Sequence, residues 1–157
     1  MSITVPLPHP AIPHRRPDGF LSRARVRARR DALDRRLAAG VDPTADEDLR
    51  VRAAQLSDPE TRRRIAMVID RLLDEAAGPP APFSSKVPLA RAATVACAPR
   101  LCEIAGRLEG GGALATRGIA QAAMLIRRPD SPLFSAATVD TDLNHHLAAI
   151  LVALRPA

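Results

Sequence analysis

Residues 113–126 read ALATRGIAQAAMLI, and wound as a helix they are apolar around nearly the whole circumference. Only Arg117, Gln121 and the following Arg128 fall on a shared polar stripe. A helix with so little polar surface belongs at the centre of a bundle or inside a bilayer. Crossing a bilayer takes about 20 apolar residues, and this run is shorter and interrupted by Arg117. The expectation is a buried central helix, with the remaining segments packed around it and no membrane span.

The rest of the chain supports a helical reading. Hydrophobic residues make up 46% of its 157 residues, dominated by Ala and Leu, the strongest helix formers. No stretch alternates with the period of two that a half-buried strand requires. The fold class expected is all-α, a compact bundle of about six helices over residues 20–157. Many Ala side chains imply closely spaced helices and a core sensitive to added volume.

Residues 1–19 (MSITVPLPHPAIPHRRPDG) carry prolines at 6, 8, 10, 13 and 17. Each fixes its own φ and drives the preceding residue out of the α region, so this basic arm reads as extended or disordered. Pro10, Pro13 and Arg15 fit a PxxPxR ligand pattern, although a solvated tail explains the same composition. No apolar run near the start has signal-peptide character, which makes the cytoplasm the expected compartment.

A first helix is expected over 20–39, ended by Gly40 in a left-handed conformation. Val26, Leu33 and Leu37 share a face. Arg27 with Asp31, Arg30 with Asp34, and Asp31 with Arg35 are i,i+4 pairs suited to an exposed surface. In the first half, Arg23, Arg27 and Arg30 line one side and Arg25 and Arg29 another, with little acid to neutralise them. Residues 1–36 hold nine arginines against three aspartates, which accounts for the whole net charge of +6. Such a cluster attracts polyanions.

A short helix is expected over 45–56, with Asp46, Glu47 and Asp48 placed to favour its N-terminal dipole. Ser57 and Glu60 have the capping-box spacing, and Pro59 fits the first turn of the next helix. That helix runs to about residue 77 with Ile65, Val68, Ile69, Leu72, Leu73 and Ala76 on one face. Residues 78–88 form the best internal linker. Beyond it, Pro99 either kinks one helix or starts another, Gly110 to Gly112 make an interhelical loop, and residues 127–132 end the central helix. The final helix covers 140–154, with Leu143, Leu147, Ile150, Leu151 and Leu154 in one stripe.

LDRRLAAGVDPTADEDLRVRAAQLSDPETRRRIA, followed by GGGALATRGIAQAAMLIRRPDSPLF and an Ala/Leu-rich last helix, resembles small all-helical actinobacterial proteins of unknown function. The resemblance covers residues 30–154. It implies an all-helical fold and brings no activity, ligand or catalytic residue.

Side chains with reactive chemistry do not assemble into a motif. Cys97 and Cys102 lie five apart, on different faces of a helix, and read as two small buried reduced thiols. His145 and His146 read as solvated helix histidines. The glycine run matches neither phosphate-binding spacing, no serine sits in a nucleophile elbow, and the Asp46 to Asp48 acids lack EF-hand spacing. Arg62, Arg63 and Arg64 begin a helix after a turn, as in a helix-turn-helix, but the preceding helix starts with acids.

Two functional expectations follow. The first is a non-catalytic interaction protein, with a protein partner or with itself, needing no cofactor, metal or small-molecule ligand. The second is binding of nucleic acid or another polyanion through Arg15, Arg16, Arg23, Arg25, Arg27, Arg29 and Arg30. The absence of Trp and Tyr makes a base-stacking platform a poor fit.

Overall fold

A computed structural model describes residues 18–79 and 87–155. Among them the chain forms α1 (Asp18–Ala38), a single 3-10 turn (Pro43–Ala45), α2 (Glu47–Leu56), α3 (Pro59–Ala77), α4 (Val87–Gly110), α5 (Gly112–Arg127), α6 (Pro132–Ala137) and α7 (Thr141–Ala153). The Pro-rich arm over 1–17, with its PxxPxR segment and with Arg15 and Arg16, lies outside the described residues, as does 80–86 of the expected linker.

The central helix is where the apolar run places it. Helix α5 touches every other α-helix, packing mainly between α1 and α4, and it buries Ile119, Ala120, Ala122, Ala123, Leu125 and Ile126. Its few polar positions are used at the edges. Arg117 is half-buried and donates through Nε to the carbonyl of Ala38 at 3.1 Å, capping the C-terminal end of α1 with a positive charge. Small residues set the spacing to α4. A Cβ on Gly118 would lie 3.0 Å from the Cβ of Arg107 and 3.3 Å from the carbonyl of Ile104.

Around α5, α3 packs on α4 and α7, α6 bridges α4 and α7, and α2 sits under α1. The apolar stripe of α3 is buried at Ile65, Ile69 and Leu72, and that of α7 at Leu143, Leu147 and Ile150. Both stripes recur every three to four residues, which is why these segments fold as helices and why they face inward.

Local signals fix most helix ends. Gly40 has φ +86°, its N–H bonds the carbonyl of Leu37, and the N–H of Val41 bonds that of Arg36, both at 3.0 Å. This is the Schellman arrangement that the glycine announces. The N-terminus of α3 departs from expectation. Ser57 ends α2, and the cap of α3 is Asp58, whose carboxylate accepts the N–H of Thr61 at 2.9 Å. Pro59 explains the shift, because the residue before a proline is held in the extended conformation that a cap needs. Glu60 instead pairs with Arg63 and Arg64.

Other expectations need correction. The helix expected over 45–56 starts two residues later, at Glu47, because Asp46 is extended (φ −153°, ψ 161°) and caps α2 through the N–H of Leu49 at 2.7 Å. Of the two alternatives at Pro99, the single helix holds, because the proline lies inside a continuous α4. The glycine run is a one-residue turn at Gly111, since Gly110 ends α4 and Gly112 starts α5. Helix α6 was unforeseen; six residues are too few to show a helical period, yet it buries Leu133 and Ala136. With it, the described residues hold seven α-helices.

Candidate functional site

The first half of α1 leaves the bundle. Every residue from Ser22 to Arg29 is exposed, whereas Asp34 and Leu37 further along are buried against α2 and α5. Val26, expected on the core face with Leu33 and Leu37, is 56% exposed. This free half-helix forms one wall of a groove of about 890 Å³, and α6 and α7 form the other.

The groove has an apolar floor. Val26 from α1, Ile126 from α5, Phe134 and Ala137 from α6, and Leu147 and Leu151 from α7 line it. Phe134 is 41% exposed, although it is one of three aromatic residues in the chain. The rim is basic, with Arg23, Arg27 and Arg30 on the α1 side, Arg127 at the end of α5 and Arg155 beyond α7, against a single acid, Asp31.

One of these arginines is held in place from below. Arg127 Nη1 donates to Asp31 Oδ1 at 3.2 Å and to Asp34 Oδ2 at 2.9 Å. Asp34 also receives a two-pronged pair of bonds from the buried Arg52 on α2. Arg30 stands beside this group, where burial and then the guanidiniums of Arg52 and Arg127 lower its pKa from the ordinary value. It stays charged, because guanidinium titrates far above neutrality. Among the described residues, no acidic side chain pairs with Arg23, Arg27 or Arg155.

The i,i+4 pairs read from α1 are not the pairs made. Asp34 is fully buried and Asp31 is half-buried, and both turn toward α5 instead of along their own helix. The side expected to carry Arg23, Arg27 and Arg30 is the side that lines the groove. Arg25 is exposed and off the groove, and Arg29 pairs with Asp48 of α2.

The remaining candidates are separate from this site. Cys97 is buried, and Cys102, expected to be buried as well, is exposed on another face of α4. His145 is exposed as expected, with Nδ1 3.1 Å from the carbonyl of Thr141, but His146, expected to be solvated, is half-buried with Nε2 3.5 Å from Glu75 of α3. Asp46 caps α2 while pairing with Arg36, and a Cβ on Gly111 would come within 3.2 Å of Arg62 Nη1. Among the described residues no cluster of His, Cys, Asp or Glu has metal-binding geometry, and no helix is long and apolar enough to cross a membrane.

Sequence reasoning missed Val26 as a surface residue, and it missed Phe134, Arg127 and Arg155 altogether. These residues come from segments distant in the chain. The one available signal was the lone Phe134 directly after a proline-rich turn, an aromatic with no helical stripe to join. Comparisons with protein-family models, with characterised proteins and with solved structures return no match.

Proposed function

We propose that this chain acts by non-catalytic binding, and that the groove between α1, α6 and α7 is its protein-docking surface. A single observation carries the reading: exposed Val26 and Phe134 and half-buried Leu151 line one groove, over buried Ile126 and Leu147, with Arg23, Arg27, Arg30, Arg127 and Arg155 at its rim. Exposed contiguous apolar surface bordered by polar groups is characteristic of interaction sites. A groove with a few well-placed charges gives orientation as well as affinity.

A small apolar anion tests the surface without knowledge of the partner. Anilinonaphthalene sulfonate combines aromatic rings with one negative charge and fluoresces when removed from water. The native protein should bind it saturably at one site. Phe134→Asp, which puts a like charge on the floor, should remove that signal while the helical circular dichroism and melting curve stay unchanged. Absence of binding by the native protein, or equal binding by the variant, would overturn the assignment.

A further inference from the structure

The two walls of the groove are helices, and each shows it a stripe at helical spacing. Helix α1 contributes Arg23, Val26, Arg27 and Arg30, and α7 contributes Asn144, Leu147, Ala148 and Leu151. Stripes spaced three and four residues apart form ridges into which the side chains of a further helix interlock. An extended peptide shows alternate side chains at a period of two and has no sheet edge here to pair with. The lining stretch of α7 from Asn144 to Leu151 extends about 12 Å at 1.5 Å per residue, enough for about two turns of a bound helix.

Charge selects among the helices that would fit. Arg23, Arg27 and Arg155 make no ion pair among the described residues, and Arg30 is crowded by Arg52 and Arg127. An incoming carboxylate would therefore meet donors that are not already committed. The chain's own N-terminal residues are a poor match. Residues 1–17 hold no acid, two arginines and five prolines. A nucleic acid would use the arginines but would leave Val26, Phe134 and Leu151 without a partner, and the floor offers one ring for stacking.

We infer that the groove takes an amphipathic helix of a partner protein, with its apolar stripe on Val26, Phe134 and Leu151 and with Asp or Glu on both flanks facing Arg23, Arg27, Arg30 and Arg155. The inference rests on the docking surface proposed above and adds the chemistry of what docks there. Sequence steering by charge makes association fast and salt-dependent, while the floor supplies the affinity.

The test uses the full chain and labelled synthetic peptides of about 18 residues, long enough to span the groove as a helix. The probe has Leu at i, i+3, i+4 and i+7 positions with Glu on the flanks. Its controls are the same composition shuffled to break the stripe, the same stripe with Lys for Glu, and a short DNA duplex. Fluorescence anisotropy should show the acidic helix binding about tenfold or more tighter than the shuffled peptide, with no binding of the Lys form. Reversing Arg23→Glu together with Arg27→Glu, on the exposed half of α1, should weaken it by a further tenfold or so. Equal binding of the shuffled peptide, indifference to the charge reversal, or preference for the duplex would overturn the inference. So would a concentration-dependent dimer, seen by light scattering, that the same reversal abolishes, because the occupant would then be a second copy. Dye binding at Phe134 without acidic-helix binding leaves the docking surface standing and removes only its proposed occupant.

Discussion

Arg52 grips Asp34 with two parallel bonds, Nε to Oδ1 at 2.8 Å and Nη2 to Oδ2 at 3.0 Å, and the side chains are 3% and 0% exposed. The pair ties α2 to α1, and Arg127 adds a third strand of the same knot from α5. Removing one partner of such a pair leaves an uncompensated charge away from water, at a cost of about 3–5 kcal/mol. Asp34→Ala should lower stability by about that much in urea titrations, and Arg52→Ala by less, because Asp34 keeps its bond from Arg127. Asp34→Leu combined with Arg52→Met should recover much of the loss, because apolar groups need no partner. A loss below about 1 kcal/mol for either single change would contradict the buried pairing.

Arg117 sits mid-way along the central helix, whose other charge is the terminal Arg127, and it holds the end of α1. Arg117→Met should cost about 1–3 kcal/mol, the range for leaving a partly buried acceptor without its charged donor. Gly40→Ala should cost a further 1 kcal/mol or more, since φ +86° strains any side chain and the new Cβ would sit 3.2 Å from the Arg117 guanidinium. Thermal melts of both single variants and the double variant check this. Unchanged melting temperatures would refute the cap.

The contact of α4 with α5 depends on Gly118. Gly118→Leu should destabilise by about 1–3 kcal/mol through overpacking against Arg107 and the backbone of Ile104. The same change at Gly106, where a Cβ meets nothing within 4 Å, serves as the control and should be neutral to stabilising by up to about 1 kcal/mol, since leucine is the better helix former. Equal effects at the two sites would mean the helices are not packed as described.

Acid should loosen the helix starts. Backbone N–H groups lower the pKa of Asp42, Asp46 and Asp58, with the hydroxyl of Thr44, the guanidinium of Arg36 and the hydroxyl of Thr61 respectively adding to the effect. A carboxylate whose pKa is lower folded than unfolded stabilises above its unfolded value, and that contribution is lost as pH falls through the folded one. Melting temperature should therefore hold from pH 7 to about 5 and decline below about pH 4. Asp46→Asn with Asp58→Asn should flatten the acid limb. A double variant with an unaltered acid limb would show that other carboxylates drive it.

How much of this was legible in the sequence depended on range. The central helix, the Gly40 terminator and the stripes of α3 and α7 are local patterns, and each stands where the spacing placed it. The side of α1 with Arg23, Arg27 and Arg30 was legible for the same reason. Asp34 was not, because a helix offers an i,i+4 partner at Arg30 while the real partners are 18 and 93 positions away. The groove was hidden for that reason too. Its floor joins α1, α5, α6 and α7, and Phe134 belongs to a helix too short to leave a periodic trace.

The most direct test of the docking account is an NMR titration of the isotope-labelled protein with the acidic amphipathic peptide. The account predicts saturable shifts confined to the groove, at Val26, Arg27, Phe134, Leu147 and Leu151, with Met67 and Val95 on other exposed faces unmoved. Shifts centred on those other faces, or none at all at saturating peptide, would contradict it.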